Sequence, residues 1–276
     1  MNDTLKTFLT RKSGVIGLVL LTLMVLLAVL APLLYPASPW EITGVPFAAP
    51  GEYGMLLGSD TLGRDIASGI AHGARVSLLI GVASTLAALL IGVVLGCIAG
   101  YFGGWVDMLV MRFTEIFQTI PNFVLAILLV AILNPTLWTI IMAIGIVSWP
   151  PLARLTRAQV MTISTREFIS AARCQGQSTA SIVLRHVLPN AISPIIVTGS
   201  LTIATAILIE AALSFMGLGD PNNMSWGFMV GAGRTVIRQA WWMSVFPGLA
   251  ILITVVAINL VGEALNDALN PRISRS

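Results

Sequence analysis

The chain has 276 residues, 57% hydrophobic and 10% charged, with a mean hydropathy of +0.92, where a soluble domain carries roughly 45–50% apolar and about 25% charged residues. That apolar excess excludes a single soluble core. The formal charge of +3 reads as a topology signal of a membrane protein rather than as a nucleic-acid footprint.

The first apolar run, Val15–Leu34, follows Lys6, Arg11 and Lys12. It exceeds the roughly 7–15 residues of a signal-peptide core and matches the ~20 helical residues that cross a bilayer core about 30 Å thick. It is therefore read as an uncleaved signal anchor and first span. Further runs at Val76–Ile98, Val110–Leu133, Leu137–Leu152, Ile192–Leu213 and Trp242–Val261 bring the expected total to six. The fold class expected is all-α and polytopic.

The third run holds Arg112, Glu115 and Gln118 in its first half and Pro121 in its middle, so it is a kinked span with a polar face or a shorter one. Arg112 and Glu115, three apart, are read as a local ion pair in preference to a substrate site. The fourth run is expected to stop at Pro150-Pro151.

Lys and Arg are retained on the cytoplasmic side. With the N-terminus inside, Lys6, Arg11, Lys12, Arg112, Arg154, Arg157, Arg166, Arg173, Arg185, Arg272 and Arg275 fall inside, and Arg64, Arg75, Arg234 and Arg238 fall outside. Both termini are then cytoplasmic. The outer segments Tyr35–Arg75 and Phe215–Trp241 are rich in Gly, Pro and Trp, the last suited to an interface.

Ala153–Asn190 is polar, holds five Arg and is the longest inner segment. Ser164 and Glu167 have the spacing of a capping box, Phe168, Ala171, Ala172 and Gln175 recur at helical spacing, and Gly176 suits a left-handed helix end. Gln177, Ser178 and Thr179 are placed to cap a second helix, which Pro189 is expected to stop. By composition, such a helix, Gly turn and helix is either a connector or a docking surface for a soluble partner.

The strings SAARCQG (Ser170–Gly176) and RHVLPN (Arg185–Asn190) resemble the EAA loop of ABC importer permeases, with Ala171, Ala172, Gly176, Leu188 and Pro189 at its characteristic positions. Ser170 stands where the general pattern has Glu, and His186 where it has Ile; the RHxLPN form is similar to the peptide/nickel branch. LGSDTLGRD (Leu57–Asp65), GARVSL (Gly73–Leu78), ALSFMGLG (Ala212–Gly219), SWG (Ser225–Gly227) and NLVGEALNDALNPR (Asn259–Arg272) resemble the dipeptide/oligopeptide C-type permeases in consistent order, with Glu263 and Asn270 where that family often has Asp.

The resemblance implies a type I importer fold in the bacterial inner membrane. Residues 1–75 would hold the cytoplasmic N-terminus, first span and outer loop, 76–271 the permease domain with its coupling loop at about 153–190, and 272–276 a cytoplasmic tail. It implies a heterodimer with a second permease subunit, two cytoplasmic ATPase subunits, an extracytoplasmic substrate-binding protein and surrounding membrane lipid, and no nucleic acid. The coupling residues would be Glu167, Ser170, Ala171, Ala172, Gly176, Gln177, Ser178, Thr179, His186, Leu188 and Pro189. No cofactor is expected on this chain, which lacks a G-x-x-x-x-G-K-[ST] phosphate loop, so ATP would be bound by the partner ATPases.

Glu210, four residues from Ser214, is read either as a side chain reaching interfacial water or an Arg, or as part of an outer gate or translocation path. Asp60, Arg64 and Asp65 are either solvated turn residues or, by the resemblance, a contact for the binding protein. His72 and His186 fall on opposite sides and cannot share a metal, and Cys97 and Cys174 read as reduced bystanders. No nucleophile–base pair or H-E-x-x-H supports an enzyme. A secondary transporter working without an ATPase is the alternative class; its mid-membrane coupling carboxylates and internal repeats are not evident.

Overall fold

The computed structural model describes residues 8–269. The expectations at Lys6, Asn270, Arg272, Arg275 and the tail 272–276 lie outside those residues. Ten helices are numbered here in chain order: α1 Lys12–Leu34, α2 Ile66–Phe102, α3 Gly104–Thr119, α4 Asn122–Leu133, α5 Leu137–Ser164, α6 Glu167–Cys174, α7 Thr179–Ile182, α8 Leu188–Leu213, α9 Trp226–Gly233 and α10 Trp242–Leu269. Among the described residues strand-like pairing is limited to the isolated bridges Ile42–Arg64 and Ser59–Asp65. Among the described residues five helical stretches are long and apolar enough to cross a membrane, and six if α3 and α4, bent by 81°, form one broken span.

The bundle is organised on α2 and α5. Gly92, Gly96 and Gly100 form a four-residue repeat along α2, and a Cβ at Gly96 would lie 2.6 Å from the carbonyl oxygen of Ala153 and from Thr156 Cβ. Backbones meet that closely only where side chains are absent, the packing that replaces hydrophobic drive between helices in lipid. Trp149, Leu152 and Ala153 bury themselves against this ridge. That packing explains the first correction: α5 does not stop at Pro150-Pro151 but continues to Ser164. Prolines are tolerated where neighbouring helices hold the chain in place.

The first third of the expected inner loop is thus the end of α5. The second span is likewise longer than its apolar run, since Asp65 caps α2 eleven residues upstream of Val76, accepting from the amides of Ala67 at 3.0 Å and Ser68 at 3.3 Å. On the other flank α10 packs on α1, α8 and α9. Helix α1 is peripheral, with Leu18, Val19, Val29 and Leu33 exposed as a lipid-facing helix requires. Of the Trp residues expected at an interface, Trp226 is fully buried, its indole donating to the carbonyl of Ile70 at 2.9 Å, whereas Trp241 stays exposed.

Candidate functional site

At the C-terminal end of α5 the chain turns at Thr165 into α6. The capping box does not form: the N-cap is Arg166 without a side-chain cap, and the Ser164 hydroxyl is buried with no partner among the described residues. Helix α5 runs through Ser164, which holds it inside one helix instead of at the start of the next. Ile169 and Ala172 turn inward and pack with Val160, Ile163, Ile182, Val187 and Ala191. Phe168, Ala171 and Gln175, from the spacing seen in the sequence, lie on the open side with Ser170 and Glu167.

Gly176 has φ of +73°. The amide of Gln177 donates to the carbonyl of Ala172 at 3.2 Å and that of Gly176 to Arg173 at 3.0 Å, the paired bonds of a Schellman end. Space around a Cβ at Gly176 is empty to 4 Å. The turn is therefore a free tip.

Ser178 then caps α7, its hydroxyl accepting from the Ser181 amide at 3.3 Å, with Thr179 exposed beside it. His186 Nε2 and Gln177 Oε1 lie 2.9 Å apart and tie the two arms, and the Asn190 side chain donates to the His186 carbonyl at 2.6 Å. Pro189 does not stop this second helix. Because Pro cannot donate, Val183–Val187 widen into a π turn in which the Leu188 amide reaches the Val183 carbonyl, and α8 carries on with Leu188 and Pro189 in its first turn. The hairpin is thus continuous with two spanning helices, α5 and α8.

At the opposite end, Glu210 is 1% exposed. It meets neither an Arg nor interfacial water: Ser214 and Ser225 donate to its Oε1 at 2.7 and 2.6 Å. The Ser225 hydroxyl also accepts from the Phe228 amide at 3.0 Å, capping α9. Asp60 and Asp65 are engaged internally. Asp60 Oδ1 accepts from the amides of Leu62 and Arg64, Asp65 is the α2 cap, and Arg64 lies over the Trp40 ring at 4.9 Å.

His72 and His186 sit at opposite ends of the bundle, and Cys97 and Cys174 are both free, the first buried in α2. Arg112 and Glu115 pair at 3.0 Å, as their spacing predicts.

Two arrangements escaped the sequence. Asp220 accepts from the Leu137 amide at 2.7 Å and so caps α5 from a distant segment, and Asp107 pairs with Arg157 between α3 and α5. Both join positions at least 50 apart in the chain, and a single sequence carries no signal for them.

Residues 92–275 match the family described as "Binding-protein-dependent transport system inner membrane component". The chain belongs to that family. The first 50 residues of this permease match the "N-terminal TM domain of oligopeptide transport permease C". It is similar to the Di/tripeptide transport system permease protein DppC of Pseudomonas aeruginosa, at 41% identity over 98% of this chain and 92% of that protein. The Dipeptide transport system permease protein DppC of Alkalihalophilus pseudofirmus is 40% identical over 98% of this chain and 90% of its own length. In fold the permease resembles a chain of the inward-facing MetNI methionine ABC transporter, with TM-score 0.57 and 18% identity, covering 73% of this chain and 96% of the other.

Proposed function

We propose that this permease forms one half of the translocation pathway of an ATP-driven importer of di- or oligopeptides. The observation that carries this reading is the 40–41% identity, over 98% of the chain, to permeases named for dipeptide and tripeptide transport. A second permease subunit completes the pathway, two cytoplasmic ATPases supply the energy, and an extracytoplasmic binding protein delivers the peptide. Both termini are cytoplasmic, and no nucleotide binds this chain.

The hairpin from Glu167 to Pro189 serves as the coupling element. Its free tip at Gly176, with the open Phe168, Ala171 and Gln175 face, enters a cleft of an ATPase, and its rigid junctions with α5 and α8 pass the closure to the spans. Ser170, Gln177, Ser178 and Thr179 lie on the contact side, and His186 holds the two arms together. At the outer end, Glu210 and Ser214 belong to a gate, and the Asp60–Asp65 turn meets the binding protein.

The test is reconstitution with a candidate second permease, ATPase pair and binding protein from the same genome. Uptake of a labelled dipeptide is expected only with ATP and the binding protein present. Uptake by this chain alone, or uptake indifferent to ATP, overturns the reading.

A further inference from the structure

Helix α3 has three faces. One packs on α5 through Val110, Thr114 and Phe117, the last with its ring 5.4 Å from Trp149. At about 100° per residue, Leu109, Ile116 and Ile120 share a second face, apolar and exposed as lipid contact requires.

The third face carries Glu115, Gln118 and Thr119, with Met108 and Met111 below them towards the inner end and Arg112 at its border. Glu115 is 48% exposed and Arg112 77% exposed, which is incompatible with contact to hydrocarbon.

The upper end of this face lies deep in the bilayer. Trp149 is twelve residues along α5 from Leu137, about 18 Å at about 1.5 Å per residue, and the break in the helix stands one turn above Phe117. There Ile120 is extended at φ −92°, ψ 130°, Pro121 has no amide to offer the Phe117 carbonyl, and α4 leaves at 81°. Irregular backbone at such depth is tolerated only against protein or a water-filled cavity.

We propose that this third face and the break above it line the water-filled pathway and touch the peptide main chain in transit, an inference that rests on the peptide-import reading. Glu115, through Oε1, the oxygen that Arg112 does not engage, and the Phe117 carbonyl, deprived of its helical donor by Pro121, offer acceptors for the peptide's amides and terminal ammonium. Met108 and Met111, unbranched and polarizable, accommodate side chains of varied shape. A pathway for many peptides needs both properties.

The test uses the whole transporter in inverted membrane vesicles, with this chain carrying Cys174→Ser and one of Gln118→Cys, Thr119→Cys, Leu109→Cys or Ile116→Cys. A charged, membrane-impermeant methanethiosulfonate is applied from the cytoplasmic side. Positions 118 and 119 are expected to react about tenfold faster or more than 109 and 116, because the reacting species is a thiolate in contact with water. Equal rates at the two pairs, fast or slow, overturn the assignment of this face, and ATP-driven release of dipeptide from the lumen of the same vesicles, loaded with dipeptide and binding protein, would then leave the peptide reading standing. Fast reaction at 118 and 119 without ATP-driven dipeptide release sustains the pathway wall and sinks the peptide reading instead.

Discussion

The Ser225 hydroxyl donates to Glu210 Oε1 at 2.6 Å while accepting from the Phe228 amide at 3.0 Å, so a carboxylate on α8 fixes the proton of the residue that caps α9. Removing the carboxylate deletes one unpaired buried oxygen, Oε2, but leaves two buried hydroxyls, those of Ser214 and Ser225, without their acceptor. Each orphaned group costs about 1–3 kcal/mol. Glu210→Ala should lower the melting temperature of the detergent-purified chain clearly, and Glu210→Gln, which keeps a carbonyl oxygen, should lower it less. Equal melting of wild type and Glu210→Ala would show that this bond does not hold α9 against α8.

Gly176 combines a left-handed backbone with empty surroundings, so a substitution there is strained without being crowded. A Cβ-bearing residue pays about 1–2 kcal/mol for that conformation. Gly176→Asp should leave membrane abundance near normal while uptake falls steeply, and Gly176→Asn, which adopts this conformation more readily, should retain more uptake. Immunoblotting and transport are to be measured together. Cross-linking from Thr179→Cys to the ATPase should fall in parallel with uptake; unchanged cross-linking and uptake in Gly176→Asp would reduce the hairpin to a connector.

The ridge of α2 is the converse case, crowded without being strained. Leu in place of Gly96 would drive its side chain into the Ala153 carbonyl and Thr156, forcing α2 and α5 apart. Overpacking of this kind costs about 1–3 kcal/mol or more. Gly96→Leu should reduce the folded chain recovered from membranes, whereas Gly248→Leu, where a Cβ meets nothing within 4 Å, should not. Recovery by size-exclusion chromatography in detergent distinguishes the two.

The Lys and Arg distribution predicts one topology, with the hairpin inside. Asp60→Cys and Asn222→Cys should be modified by an impermeant maleimide from outside intact cells, and Thr179→Cys only after the membrane is opened. Labelling of Asp60→Cys and Thr179→Cys from the same side would require a different number of spans.

The sequence by itself determined the membrane class, five of the six spans to within a few turns, and the Gly-centred turn. Those features are written in local composition: apolar length against bilayer thickness, and a glycine where the helix must reverse. It misjudged the prolines at 150 and 189, because Pro signals only a missing donor and the decision to continue rests on what surrounds it. At 150 the glycine ridge of α2 holds the helix, and at 189 a π turn absorbs the lost bond.

Only the tertiary structure decided the partners of Glu210, the Asp107–Arg157 pair and the cap that Asp220 places on Leu137. It also decided which face of α3 is left open once α5 has covered another. A charged or polar side chain in an apolar run announces that it needs a partner or water, but the identity of that partner depends on how helices distant in the chain are brought together.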